Sequence, residues 1–295
     1  MLKMYAAQSH AGSTPEHWEE NWERSEYARA VSFCAVDPLR PLFEKYLRPD
    51  SVMLEGGCGI GNYVTYYAAK GYRVVGVDFA QRALKTLRGR QPDAMLSGGD
   101  VSVLPFADET FDLYYSGGVV EHFEDGATAS LAEARRVLKD DGVLLISVPY
   151  FSPLRRVLSV LNRDEWRVVS GPETDKQQVF EDKKFFQYAY KTGEFEAMLA
   201  NAGLKTIETQ GYAVLWGLYE LPFFGGQSEH NHGGPQKAVA AEPTADIGEL
   251  VKDRPASLAK RLIVNEDASV PVLGLGVKAM RWAAANMMMY VCVRN

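Results

Sequence analysis

Val52-Met53-Leu54-Glu55-Gly56-Gly57-Cys58-Gly59-Ile60-Gly61 decides how the rest of this chain is read. Ser51 to Leu54 is a short apolar strand candidate that runs into a glycine-rich turn. Asn62 to Lys70 then has helical character and stops at Gly71. Strand, glycine turn and helix together let backbone approach a nucleotide-like ligand and leave helix N-terminal amides free to donate to it. The glycine spacing narrows the choice. The dinucleotide pattern would place glycine at position 62 or 64, where Asn62 and Val64 stand. No G-x-x-x-x-G-K-[ST] phosphate loop is present either.

Outward from this stretch, short apolar runs alternate with helices. Arg73 to Val77 is a second strand closed by Asp78, and Gln81 to Arg88 a helix. Ala94 to Leu96 is a short strand leading to Asp100, and Phe111 to Ser116 a fourth. Ala127 to Leu138 is a helix with Leu131, Ala134, Val137 and Leu138 on its apolar face. Asp141-Gly142 reads as a turn before the apolar strand Val143 to Val148. Further on come a helix from Thr192, capped by that residue, to Asn201, a strand from Lys205 to Gln210, and a final strand from Met287 to Val293. The expected fold is therefore α/β: a doubly wound, seven-stranded, mostly parallel sheet whose last strand lies antiparallel beside Lys205 to Gln210. Residues 1–47 read as an aromatic-rich helical segment ahead of a main domain spanning 48–295. Within it, 150–190 is irregular and 211–285 is an insertion before the last strand. An acidic residue at a strand end, as Asp78 is, can accept both hydroxyl protons of a ribose; it can also cap the helix that follows.

Taken in order, these segments resemble the class I S-adenosylmethionine-dependent methyltransferases. The resemblance covers roughly residues 50–150. It rests on the glycine stretch, Val75-Gly76-Val77-Asp78-Phe79-Ala80, Gly99-Asp100 before Leu104-Pro105-Phe106, Phe111-Asp112-Leu113, Gly118-Val119-Val120-Glu121-His122-Phe123 and Arg135-Arg136-Val137-Leu138-Lys139-Asp140-Asp141-Gly142. It is similar to the small-molecule branch that includes ubiquinone-pathway and natural-product enzymes. The resemblance implies S-adenosylmethionine as cofactor, bound along the glycine loop through Gly57, Gly59 and Gly61. Glu55 and Gly57 would lie near its methionine part, Asp78 at the ribose and Phe79 beside the adenine. Asp100 would accept from the adenine amino group with Val101 next to it, and Ser116 and Gly117 would line the methionine and sulfonium.

Methyl transfer from a sulfonium needs an aligned nucleophile and, for a hydroxyl or ammonium acceptor, a group to take the proton. His122 is the candidate base, its ordinary pKa suiting proton transfer near neutrality; the alternative is that Glu121-His122 only packs against the cofactor. Ser116-Gly117-Gly118-Val119 stands where methylases of exocyclic amino groups in nucleic acid carry Asp/Asn-Pro-Pro-aromatic, and no Pro-Cys pair occurs there. The expected acceptor is a small organic molecule methylated on oxygen, nitrogen or carbon. Transfer of another group from S-adenosylmethionine, cyclisation, or a catalytically silent cofactor-binding subunit are the competing readings.

Charge and composition agree. The 295 residues carry a formal net charge of −6, which disfavours a nucleic-acid partner. Three scattered cysteines give neither a disulfide framework nor a metal site. No targeting peptide or membrane span is evident, so a cytoplasmic location is the default expectation; a homodimer is compatible with the sequence. Trp18, Trp22 and Tyr27 form a lid over the cofactor or else pack in a helix pair. Tyr150, Phe151, Trp166, Phe180, Phe185, Phe186, Tyr188 and Tyr190 line an apolar or aromatic acceptor pocket or fill core. Arg155, Arg156, Arg163 and Arg167 receive an acidic group or form a solvated face. His230 and His232 lack further ligands at metal-binding spacing. Val270 to Ala285 is read as an amphipathic helix, interrupted by Lys278 and Arg281, that packs on the protein rather than lying on a membrane or partner.

Overall fold

The computed structural model describes residues 1–7, 15–23, 25–161, 167–168, 183–221, 246–253 and 256–295. In chain order the elements are β1 (Leu2–Ala7), α1 (Pro15–Glu23), α2 (Tyr27–Phe33), α3 (Arg40–Tyr46), β2 (Val52–Gly56), α4 (Asn62–Ala69), β3 (Arg73–Asp78), α5 (Gln81–Arg90) and β4 (Met95–Gly98). They continue with β5 (Phe111–Gly117), α6 (Thr128–Val137), β6 (Leu138–Pro149), α7 (Pro153–Leu161), β7 (Arg167–Val168), β8 (Lys183–Ala189), α8 (Thr192–Asn201) and β9 (Leu204–Tyr212). The last are α9 (Val214–Leu218), α10 (Ile247–Leu250), α11 (Leu258–Ile263), α12 (Leu273–Ala284) and β10 (Met287–Arg294).

Seven strands form one sheet in the order β4-β3-β2-β5-β6-β10-β9. The first five are parallel, and β10 runs antiparallel to both β6 and β9. This is the expected fold class. The strands show why both faces are covered: along each one, neighbouring side chains enter different cores. Leu54, Tyr114, Leu144 and Tyr290 point into one cluster with α6 and α8. Met53, Leu113, Tyr115, Leu145 and Val291 point into the other with α2 to α5. That alternation is the two-residue period of a strand buried on both sides. The order reverses at β2 and β5, so the loops after these strands open a crevice at the carboxyl edge of the sheet.

Several local expectations are corrected. The N-terminal segment is not wholly helical: Leu2–Ala7 is a strand, paired antiparallel with β7 and β8 in a separate three-stranded sheet. β8 lies within the region where no period was legible. Lys183-Lys184-Phe185-Phe186-Gln187-Tyr188-Ala189 buries both faces from Phe185 onward, so alternation is absent. Asp141-Gly142 is not a turn but part of β6. The pairing steps from Phe111–Leu138 to Leu113–Val143, and the extra residues form a bulge. Lys191, not Thr192, precedes the first turn of α8, where the Glu194 carboxylate accepts from the Lys191 amide at 3.0 Å. Tyr27 is core rather than lid: it is buried, with its hydroxyl 2.8 Å from that of Thr65. Arg155 is not on a solvated face but buried and bound to Glu220. Arg163, Trp166, Phe180, His230 and His232 lie outside the described residues, as does the side chain of Arg167.

Candidate active site

The glycine loop is folded onto the neighbouring strand. Gly57 and Cys58 donate their amides to the Val77 carbonyl at 2.8 and 3.0 Å. Gly59 and Gly61 hold φ of +51° and +70°, the left-handed region that side chains resist. A Cβ on Gly59 would come within 2.5 Å of the Trp22 ring, so the loop is also bare because something packs on it. Glu55 lies beneath, buried, its Oε2 accepting from the Val64 amide at 2.8 Å in the first turn of α4. Asp78 is buried at the end of β3. Its Oδ2 accepts from the Gly59 amide at 2.7 Å and its Oδ1 from the Ala80 amide at 2.8 Å. The carboxylate therefore ties the glycine loop to its own turn rather than capping α5, while each oxygen keeps a lone pair for a ligand. Phe79 is half-buried beside it. Asp100 is exposed, with Oδ1 accepting from the amide and hydroxyl of Ser102 at 2.7 Å, and Val101 is buried under it. Ser116 is buried at the end of β5, and Gly117 follows it half-buried. All of these positions lie at or just beyond the carboxyl ends of β2, β3, β4 and β5, so the fold gathers them at one edge.

His122 closes a short 3₁₀ turn after β5. It is buried, and its Nδ1 is 2.8 Å from the Phe186 carbonyl oxygen of β8, which assigns the proton to Nδ1 and leaves Nε2 as acceptor. Burial lowers its pKa to about 4. The ordinary value expected from sequence does not hold, and the imidazole is neutral at pH 7. The small sheet that was illegible in sequence is what positions it. Next to it Glu121 is buried, with Oε1 3.9 Å from His122 Nε2 and Oε2 without a hydrogen-bond partner. Burial pushes its carboxyl up to about 8.

Helix α1 lies across the site. Trp18 and Trp22 stack with centroids 5.7 Å apart, and Trp18 meets His122 edge-on at 4.9 Å. Glu19, a residue the sequence reading passed over, accepts from the Arg82 amide at 2.9 Å and the Ala83 amide at 3.3 Å, pinning α1 to the first turn of α5. Its signal was present in Trp18-Glu19-x-x-Trp22, a carboxylate on the same helical turn as the two indoles. Of the aromatics after β6, Phe185, Tyr188 and Tyr190 belong to the main core cluster, and Phe186 reaches His122 at 5.0 Å. Among the described residues no group of His, Cys, Asp and Glu has the arrangement of a metal site, and no helix is long and apolar enough to cross a membrane.

The electrostatics of the crevice are one-sided. Glu55 is pushed up to about 8, first by burial and further by the nearby Asp78, and Asp78 is itself raised by burial. Among the described residues no cation counters Glu55, Asp78 or Glu121. A cofactor bearing a sulfonium and an ammonium supplies the missing positive charge, so the residues present fit S-adenosylmethionine. A stability consequence follows. Glu55 and Glu121 retain in the fold a proton that the unfolded chain releases near 4.5. Stability of the free protein must therefore fall as pH rises from 6.5 through 8, by at most about 1.4 kcal/mol per pH unit for each carboxyl. The His122 contribution runs the other way, but is exhausted above about 6.5. Thermal melts at pH 6.5 and 8 are expected to show a falling Tm, flattened by saturating S-adenosylmethionine and by Glu55→Gln. An equal slope in all three would contradict this assignment of charge.

Comparison with known proteins agrees with the geometry. Residues 54–146 match a family described as a methyltransferase domain. The chain is 28% identical over 197 residues to a probable S-adenosylmethionine-dependent methyltransferase of Mycolicibacterium smegmatis, covering 65% of this chain and 66% of that protein. It is 32% identical over 123 residues to the malonyl-[acyl-carrier protein] O-methyltransferase of Serratia marcescens, covering 42% and 46%. It is 36% identical over 112 residues to the demethylmenaquinone methyltransferase of Renibacterium salmoninarum, covering 37% and 47%. The chain thus spans less than two thirds of each of these relatives. In fold it is similar to a chain of the solved complex that contains the Haloferax volcanii Trm112 methyltransferase activator. That match has 15% identity and a TM-score of 0.51, and covers 95% of both chains. Sheet and family match agree on a methyltransferase domain over residues 54–146. Its similarity to S-adenosylmethionine-dependent methyltransferases implies S-adenosylmethionine as the cofactor.

Proposed function

We propose that the protein transfers the methyl group of S-adenosylmethionine to oxygen, nitrogen or carbon of a small organic acceptor. The observation that carries this reading is the set of three buried carboxyls, without a counter-cation among the described residues, placed around a bare glycine loop at the switch point of the sheet. The cofactor supplies an already activated methyl. In this reading Gly57, Gly59 and Gly61 give it backbone contact, Asp78 binds the ribose, and Asp100 and Val101 meet the adenine edge beside Phe79. Glu55 faces the ammonium, while Ser116 and Gly117 flank the methionine. The α1 indoles exclude water above the crevice.

Within this proposal neutral His122 accepts a hydrogen bond from the acceptor at Nε2. With a pKa near 4 it orients the nucleophile, and takes its proton only as the methyl bond forms. His122→Asn is expected to lower kcat by about 100-fold, with no loss of wild-type rate on acidification until well below pH 6. An unchanged rate and pH profile in the variant would remove His122 from the chemistry.

The direct test is a screen of extract fractions with methyl-labelled S-adenosylmethionine. One labelled methyl in a low-mass product is expected. A mass gain other than one methyl would mean a different group transfer. Cofactor binding with turnover only after addition of a second protein would mean a silent subunit.

A further inference from the structure

Helices α7, α9, α11 and α12 form one layer, α12 packing on the other three. This layer holds most of the exposed large apolar side chains among the described residues. Val160 and Leu161 of α7 are 62% and 71% exposed, Trp216 of α9 46%, and Leu275 and Trp282 of α12 74% and 65%. An apolar groove of about 300 Å³ opens in the same layer, lined by Leu215, Leu262, Ile263, Val277 and Met280. Isolated exposed apolar residues need no explanation, but a contiguous set on neighbouring helices does.

The charge on this layer has a single sign. The four helices contain no Asp or Glu. Three of their cations are spent on flanking carboxylates: Arg155 on Glu220, Arg261 on Asp267 and Arg281 on Glu266. Arg156, Lys260 and Lys278 are exposed, and among the described residues no carboxylate pairs with them. Among its described residues a chain of net charge −6 thus presents one apolar layer with uncompensated positive charge.

We propose that this layer docks on an anionic lipid surface. Exposed indoles beside aliphatic side chains and lysines match the composition of helices that lie in a bilayer interface. Nucleic acid would take the cations but leave the apolar side chains in water. A two-fold contact with a second copy would set this cationic layer against itself. The proposal is independent of the methyl-transfer reading, because vesicle binding is measured without cofactor or acceptor.

The experiment is flotation of the full chain with phosphatidylcholine vesicles, with and without phosphatidylglycerol, at low and high salt. The wild type is expected to float with the anionic vesicles only, and less at high salt. Lys260→Glu and Lys278→Glu should each weaken binding about fivefold. Leu161→Ser and Trp282→Ser should each weaken it roughly tenfold, with unchanged melting curves because all four side chains are solvent-facing. Failure of the wild type to bind anionic vesicles overturns the proposal. So does equal binding to neutral ones, or a dimer in sedimentation that these substitutions dissociate.

Discussion

Asp78→Ala is expected to abolish measurable S-adenosylmethionine binding, a loss of at least about 100-fold in affinity. Two effects combine. The carboxylate holds the Gly59 amide at 2.7 Å and the Ala80 amide at 2.8 Å, so its removal frees the glycine loop and leaves two buried donors unpaired. Its remaining lone pairs are the acceptors proposed for the ribose hydroxyls, and a charge-assisted hydrogen bond contributes about 1.5–3 kcal/mol. Asp78→Asn separates the two. It keeps an oxygen for one amide while losing the charge, and should fall between wild type and alanine. Titration calorimetry of the three proteins, each shown folded by circular dichroism, reads the result. Undiminished binding by the alanine variant would remove Asp78 from the cofactor site.

Arg155→Ala should be the most damaging change to stability, costing about 3–5 kcal/mol. The guanidinium is almost wholly buried. Its Nε and Nη2 donate to Glu220 at 2.9 and 2.5 Å, and its Nη1 to the carbonyls of Tyr150 and Asn286 at 2.9 and 3.0 Å. It therefore joins the end of β6, the start of β10 and the chain beyond α9. Among the described residues truncation leaves the Glu220 carboxylate with only the Asn286 side-chain amide at 3.2 Å, takes the side-chain donor from the Tyr150 carbonyl, and leaves the Asn286 carbonyl with the Tyr150 amide at 2.8 Å. A fall in Tm of about 10 °C is expected for a chain of this size. Replacing both partners by apolar residues, Arg155→Met with Glu220→Leu, should recover most of it, since paired removal strands no charge. A fall below 2 °C in the single variant would show that the pair is dispensable.

The same residue shows where sequence reasoning stops. Arg155 and Arg156 are adjacent on a helix, and nothing local says that one faces Glu220, 65 positions away, while the other faces solvent. The parallel sheet was legible because its strands are short apolar runs closed by Glu55, Asp78 and Ser116, and their order follows from the strand-helix alternation. β1 and β8 were not. Their partners are separated by more than 170 residues, and β8 shows no alternation because it is buried on both faces. Yet β8 supplies the carbonyl that fixes His122 and the burial that shifts its pKa. The position of His122 after the fourth strand of the parallel sheet could be read from sequence; its protonation could not, because desolvation is a property of the packed site. Trp18 and Trp22 were legible as a pair one helical turn apart. That Trp22 covers Gly59 and Trp18 meets His122, with α1 held by Glu19 reaching α5, depends on the packed site.

In the proposed reading the glycine loop and the carboxyls around it bind S-adenosylmethionine. Calorimetric titration of the unmodified chain tests this without knowledge of the acceptor. One S-adenosylmethionine per chain is expected, binding more tightly as pH rises from 6.5 to 8 and Glu55 and Glu121 ionise, with no heat from NAD or ATP. No binding of S-adenosylmethionine, or equal binding of NAD, would contradict the account.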